Sequence, residues 1–173
     1  MVNDGKYYFA MYVRKAFFKL VGTLKYTSAS KFDTFLDSLF DRESDFEDVL
    51  IDLSEATFLD STNLGFLARI SEYMNDKFSK KVAIYSPKEE INKLLESVGF
   101  DEVFVLVKNV AKKEDDLKEI SSDGAADRSR SEMMLESHKA LINVYEKNAD
   151  KFCDVVNLLQ QSVDKEKEIL NNA

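Results

Sequence analysis

A short apolar run, Val49 to Leu53, stands between two segments whose apolar residues recur at helical spacing. A run of this length and composition is typical of a buried strand. On its N-terminal side, in SASKFDTFLDSLFDR, Phe32, Phe35, Leu36, Leu39 and Phe40 recur at threes and fours. That pattern predicts an amphipathic helix with Ser28 or Ser30 capping its start. On its C-terminal side Leu64, Leu67, Ala68, Ser71 and Met74 share one face, which predicts a second helix from about Ser61 to Phe78.

The flanks extend the alternation. KYYFAMYVRK and AFFKLVGTLKY, rich in aromatic and branched residues, predict two adjacent strands, paired or joined as a hairpin. KKVAIYSP reads as a further strand, and Pro87 suits the first turn of a third helix, KEEINKLLESVG, which Gly99 is placed to end. VFVLV then reads as a closing strand. Strands and helices in alternation imply an α/β layer with a partly parallel sheet and helices packed on it.

The composition changes after Lys108. AKKEDDLKEISSDGAADRSRS is charged and rich in small residues, with Gly124 in its middle, and reads as a linker or frayed helix over residues 109–130. Beyond it Met134, Leu141, Tyr145, Phe152, Val155 or Val156, Leu159, Val163 and Leu170 alternate at threes and fours, with an irregularity near Val155. Residues 131–173 are therefore expected to form one long amphipathic helix or two shorter ones, whose stripe docks on the same chain, dimerises as a coiled coil or binds a partner. His138 falls on that stripe and is expected to be a packing or surface residue.

Several classes of function are disfavoured. A formal charge of −8 argues against direct contact with nucleic acid or anionic lipid, which need a local excess of Lys and Arg. The early apolar block YYFAMYV is interrupted by Arg14 and Lys15, well short of the roughly 20 residues of a membrane span, and no cleavable signal follows it. The expected location is the cytoplasm. The lone Cys153 fits a reducing compartment and is expected to be a small packing residue. One His and one Cys supply no metal constellation, and the five glycines are scattered singly rather than gathered in a phosphate loop. Histidine-assisted nucleophilic catalysis would have to use His138, which lies far along the sequence from any hydroxyl-rich turn. No catalytic residues, metal or cofactor are expected, and the chain is read as a binding protein rather than an enzyme.

The stretch FLDSTNLGFL, residues 58 to 67, joins the buried strand to the second helix and places Asp60, Ser61, Thr62 and Asn63 in a row before Gly65. On residue chemistry two readings stand. Asp60, Ser61 or Thr62 satisfies the unpaired N–H groups of the helix start as an N-cap. Alternatively Ser61, or Thr62, is a phosphoacceptor: a phosphate there meets the positive end of the helix dipole, so the fold tolerates it while the surface gains close to two negative charges.

IDLSEATFLDSTNLGFL resembles the signature of the STAS domain, in particular of bacterial anti-sigma-factor antagonists. The resemblance runs from about Tyr7 to Val107 and includes the Gly22-containing second strand, the VLIDLS strand, the DSxxLG turn and LLESVGFDEVF. It implies a mixed four- or five-stranded sheet with helices packed on one side over residues 1–108, extended here by the C-terminal helical segment. It further implies partner switching: the unphosphorylated antagonist binds an anti-sigma factor that is also a serine kinase, so regulating sigma-factor-dependent transcription, and a serine phosphatase resets it. Carried onto this chain, the switch serine is Ser61, Asp60 shapes the turn, and Thr62, Asn63, Leu64 and Gly65 form the contact surface. Lys25 stands where the family often has Asp, reversing a charge near the partner site, and Asn63 replaces a small residue. STAS domains also serve as non-switching scaffolds or accessory subunits of signalling and lipid-transport complexes, which implies an alternative in which the same surface docks constitutively.

Overall fold

The computed structural model describes residues 4–42, 45–110, 116–121 and 128–173. Strands β1 (Lys6–Tyr12) and β2 (Lys15–Leu24) form an antiparallel hairpin, with Lys6 opposite Val21 and Tyr12 opposite Lys15. Its two-residue turn holds Val13 and Arg14 at φ 33° and 64°. That handedness matches the twist of paired strands, although a β-branched residue adopts it at a steric cost. There follow α1 (Ser30–Asp41), β3 (Asp48–Asp52), β4 (Ala56–Leu59) and α2 (Ser61–Phe78). Next come β5 (Ala83–Tyr85), α3 (Glu89–Ser97), the short α4 (Phe100–Val103), β6 (Val105–Val107) and β7 (Lys118–Glu119). The chain ends in two helices, α5 (Arg130–Val144) and α6 (Ala149–Asn171).

The strands make one mixed sheet in the order β6-β5-β3-β2-β1-β7, with β4 paired to β2. The pairs β2/β3, β2/β4, β3/β5 and β5/β6 are parallel, while β1 is antiparallel to both its neighbours. β2 serves two partners in succession: Lys15–Lys19 face β3, and Gly22–Leu24 face β4. Gly22, at φ 81°, makes the change of register, and its N–H donates to the Glu55 carbonyl at 2.9 Å.

Phe32 of α1 is the node of the core. Tyr7 stacks on its ring at 4.4 Å, and Phe18 and Phe66 meet it edge-on at 5.9 and 5.4 Å, so β1, β2, α1 and α2 converge on one side chain. Met133, Ala140 and Leu141 of α5 belong to the same buried cluster. The C-terminal segment is thus packed on the domain of its own chain.

The α/β reading and the bounds of α2 agree with the sequence; several details differ. Short β4 and β7 widen the sheet beyond four or five strands. β7 arises within the stretch read as linker or frayed helix, where Lys118 and Glu119 pair with Phe9 and Tyr8. Residues 111–115 and 122–127 of that stretch, Gly124 among them, lie outside the described residues. Ala29 rather than a serine is the N-cap of α1, because Ser28 turns its hydroxyl to the Lys25 carbonyl at 3.3 Å. Pro87 precedes α3, whose N-cap is Lys88. The final strand is shorter than VFVLV because Gly99, at φ 74°, turns the chain into α4, where Phe100 packs on Phe104 at 4.7 Å.

The tail breaks at Tyr145–Asn148 rather than near Val155. Buried Asn148 pins the break by donating from Nδ2 to the carbonyls of Val98 at 3.0 Å and Leu141 at 2.8 Å. The face of α6 turned inward carries Phe152, Val156, Leu159 and Val163, which leaves Cys153 exposed and not a packing residue. Val155 and Leu170, expected on the buried stripe, are 37% and 74% exposed for the same reason. Among the described residues no helix is long and apolar enough to cross a membrane.

Candidate functional site

The strand-to-helix turn is held by Asp60. Its backbone N–H donates to the Leu24 carbonyl at 3.1 Å, tying the turn to the end of β2. Its side chain is the N-cap of α2: Oδ1 accepts from the Asn63 backbone N–H at 3.0 Å and from Asn63 Nδ2 at 2.9 Å. Oδ2 accepts from the Tyr26 N–H at 2.6 Å. Asn63 is fully buried, and its Oδ1 accepts from the Tyr7 hydroxyl at 2.5 Å, while burial pushes the Tyr7 hydroxyl above its ordinary pKa. A chain of bonds therefore runs from Tyr26 through Asp60 and Asn63 to Tyr7, and the turn is fixed from both sides.

The cap decides between the roles open to the neighbouring residues. Asp60 takes the capping bond, so Ser61 is the first residue of α2 without that duty. Thr62, Asn63 and Leu64 are 1%, 0% and 3% exposed. The contact surface expected over residues 60 to 65 is in large part interior, because Leu64 joins the core and Asn63 is spent on Tyr7 and Asp60. Thr62 is equally unavailable as an acceptor of phosphate in this arrangement. Ser61 is half-buried, and Lys25 is exposed beside Tyr26.

The partner of Ser61 is His138. Ser61 Oγ lies 2.8 Å from His138 Nε2, and His138 Nδ1 lies 2.6 Å from the Met134 carbonyl. A carbonyl only accepts, so Nδ1 carries the proton, and Nε2 accepts from the serine hydroxyl. Burial pulls the imidazole below its ordinary pKa, against smaller opposing pulls from the Met134 carbonyl and the Asp60 charge, so the ring is neutral at pH 7. The sequence placed His138 far from any hydroxyl-rich turn, and the structure corrects this: α5 folds back over α2 and joins positions 77 residues apart.

Contacts continue along the helix. A Cβ on Gly65 would collide with the backbone and Cβ of Ser137, so the glycine permits the close approach of α5. Farther on, Glu72 and Asn143 of α5 line one cavity, and burial raises the Glu72 carboxyl above its ordinary pKa. α6 braces the outer side of α5: Glu166 accepts from Ser129 Oγ at 2.7 Å and Ser131 Oγ at 2.8 Å, and Phe152 meets the His138 ring at 5.6 Å. The approach to α5 is tied to α1 and α2 by charge. Arg69 reaches Asp33 at 2.6 Å and Asp37 at 2.5 Å, and Arg128 pairs with both acids. Burial nevertheless pushes the Asp33 carboxyl above its ordinary pKa, outweighing the two arginines.

Among the described residues no group of His, Cys, Asp and Glu is arranged to hold a metal ion. The model of the STAS domain matches residues 8–116. The chain belongs to the STAS family. In fold the domain is similar to the solved structure of the anti-sigma factor antagonist SpoIIAA in its unphosphorylated form, with a TM-score of 0.51 and 12% identity over 59% of this chain and 88% of that one. No curated protein matches the chain in sequence. The STAS match ends at residue 116, before α5 begins at Arg130, so the helix whose His138 bonds Ser61 lies outside the matched residues.

His138, Ser137 and Tyr26 were not among the site residues read from the sequence. Gly65 carried the one local signal, since a glycine inside a helix costs about 1 kcal/mol relative to Ala and asks for a reason such as a close neighbour.

Proposed function

We propose that this STAS protein is an anti-sigma-factor antagonist controlled by phosphorylation of Ser61. The observation that carries the reading is the division of labour at the turn: Asp60 caps α2, and Ser61 stands beside it at the helix start, half-buried, bonded to His138 and relieved of capping. A phosphate there changes the surface while the cap and the Tyr26–Asp60–Asn63–Tyr7 chain keep the fold. In this reading the unphosphorylated chain binds an anti-sigma factor that acts as serine kinase, a serine phosphatase restores it, and transcription by a sigma factor is the output. The protein binds and is modified; it carries out no chemistry itself, and it works in the cytoplasm.

The test is peptide-level mass spectrometry of protein from its native cells, with Ser61→Ala as control, followed by capture with Ser61→Asp and Ser61→Ala. Phosphate on Ser61 and loss of a kinase-type partner by the Asp variant are expected. Absence of phosphate under all growth and stress conditions, with both variants capturing the same partners, would favour the non-switching scaffold. That second reading has one feature behind it: α6 leaves Leu158, Ile169 and Leu170 exposed by 64%, 70% and 74%, large apolar side chains that assembly would cover.

A further inference from the structure

We propose that the face of α2 carrying Ser61, Gly65 and Glu72 is a docking surface for a helix, and that α5 is its resident occupant. A partner reading Ser61 must displace α5 first. The proposal rests on the reading of Ser61 as a control point only for what regulates displacement.

Positions 61, 65 and 72 fall within about 40° of one another around an α-helix, so they form one stripe. Each faces α5: Ser61 bonds His138, Gly65 abuts Ser137, and Glu72 shares a cavity with Asn143. Along this stripe the contacts are polar or between small groups, and beside it Met133, Ala140 and Leu141 of α5 join the buried apolar cluster; the stripe describes what the surface accepts. A helix fits if it brings a small residue to Gly65 and a hydrogen-bond acceptor to the Ser61 hydroxyl one residue later. α5 does both with the consecutive pair Ser137 and His138. Because α5 lies beyond the matched STAS domain, the domain alone would present this stripe uncovered.

Ser61–His138 is the latch at the N-terminal end of the stripe. Removing the hydroxyl leaves Nε2 of a buried imidazole without its donor, and removing the imidazole takes away the acceptor. Either change raises the fraction of chains with α5 lifted. A partner's apparent affinity scales with that fraction, so opening sensitises the surface without any new contact. An unmodified chain is thus held largely closed, and modification of Ser61 acts on its own cover as well as on any partner.

The experiment is hydrogen exchange by mass spectrometry on the full chain, comparing wild type with Gly65→Ala, Ser61→Ala and His138→Ala. Gly65→Ala is the sharpest, since alanine favours helix in α2 while its methyl collides with Ser137. Residues 130–144 and 61–72 are expected to exchange at least tenfold faster together in Gly65→Ala and severalfold faster in the latch variants, with β2 and β3 unchanged. Unchanged exchange of 130–144 in all three variants, or loss of protection in β2 and β3 at the same rate, would make α5 a fixed part of the core and overturn the proposal. Phosphate on Ser61 in cells with no opening in these variants removes the cover and leaves the switch. Opening without phosphate in cells does the reverse.

Discussion

The two faces of α2 are buried by different means. Leu67, Ile70 and Met74 turn inward and are 0%, 1% and 0% exposed within the core that Phe32 organises. On the opposite side Ser61, Gly65 and Glu72 are covered by α5 through the Ser61–His138 hydrogen bond, a close approach of small residues and a cavity shared with Asn143. The inner face is held by apolar area, which has no required partner geometry and is worth about 1.5–3 kcal/mol per large side chain. The outer face is held by matched groups, each of about 1 kcal/mol net and lost singly when one member changes, beside the apolar burial of Met133, Ala140 and Leu141 of α5. One helix therefore carries a face that defines the fold and a face that can be exchanged.

Substitutions should separate the two. Leu67→Ala, on the inner face, is expected to cost about 2–5 kcal/mol of whole-domain stability, seen as a lowered midpoint in denaturant with all probes moving together. Gly65→Ala is expected to cost about 1–3 kcal/mol, since overpacking must be relieved by lifting α5, and near-native sheet signals alongside lost α5 protection would distinguish it. Asp60→Ala removes the cap and the acceptor for Tyr26, with an expected loss of about 1 kcal/mol that appears as fraying of the first turn of α2 in amide exchange. If Asp60→Ala and Gly65→Ala proved as damaging as Leu67→Ala, the contrast between the faces would collapse.

The smallest effect is on pH. His138 has a pKa below 6.5 when docked and an ordinary one when α5 is lifted, so the lifted form binds more protons between the two values. Docking is complete above about pH 6.5 and weakens as the pH falls through the docked value. Glu72, whose carboxyl is raised by burial on the same face, pulls the opposite way, so opening of α5, followed by exchange corrected for intrinsic rate from about pH 7.5 to about pH 5.5, should increase in the wild type relative to His138→Gln. Equal slopes would assign the dependence to another group.

What the sequence disclosed follows the same division. Periodicity is a local signal, so the strand at Val49, the bounds of α2 and the inner face were readable from spacing alone. Asp60 as cap was one of three candidates, and only the bond to the Asn63 N–H selected it. The Ser61–His138 pair joins residues 77 apart through a helix crossing, and no spacing rule reports such a meeting. Gly65 hinted at a close neighbour without naming it. The exposed side of Cys153 and the break at Tyr145 depend on how α6 is rolled against α5, which Asn148 sets by bonds to Val98 and Leu141.

β7 has a bearing on how tightly the cover closes. Its pairing with β1, and the burial of Ile120 just after it, anchor the chain to the sheet ten residues before α5 begins. A lifted α5 is therefore a tethered ligand, present at its own site at an effective concentration on the order of millimolar. A freely diffusing rival at cellular abundance must make up that difference through affinity, which sets a threshold for engagement and lets a small change in latch strength become a large change in response.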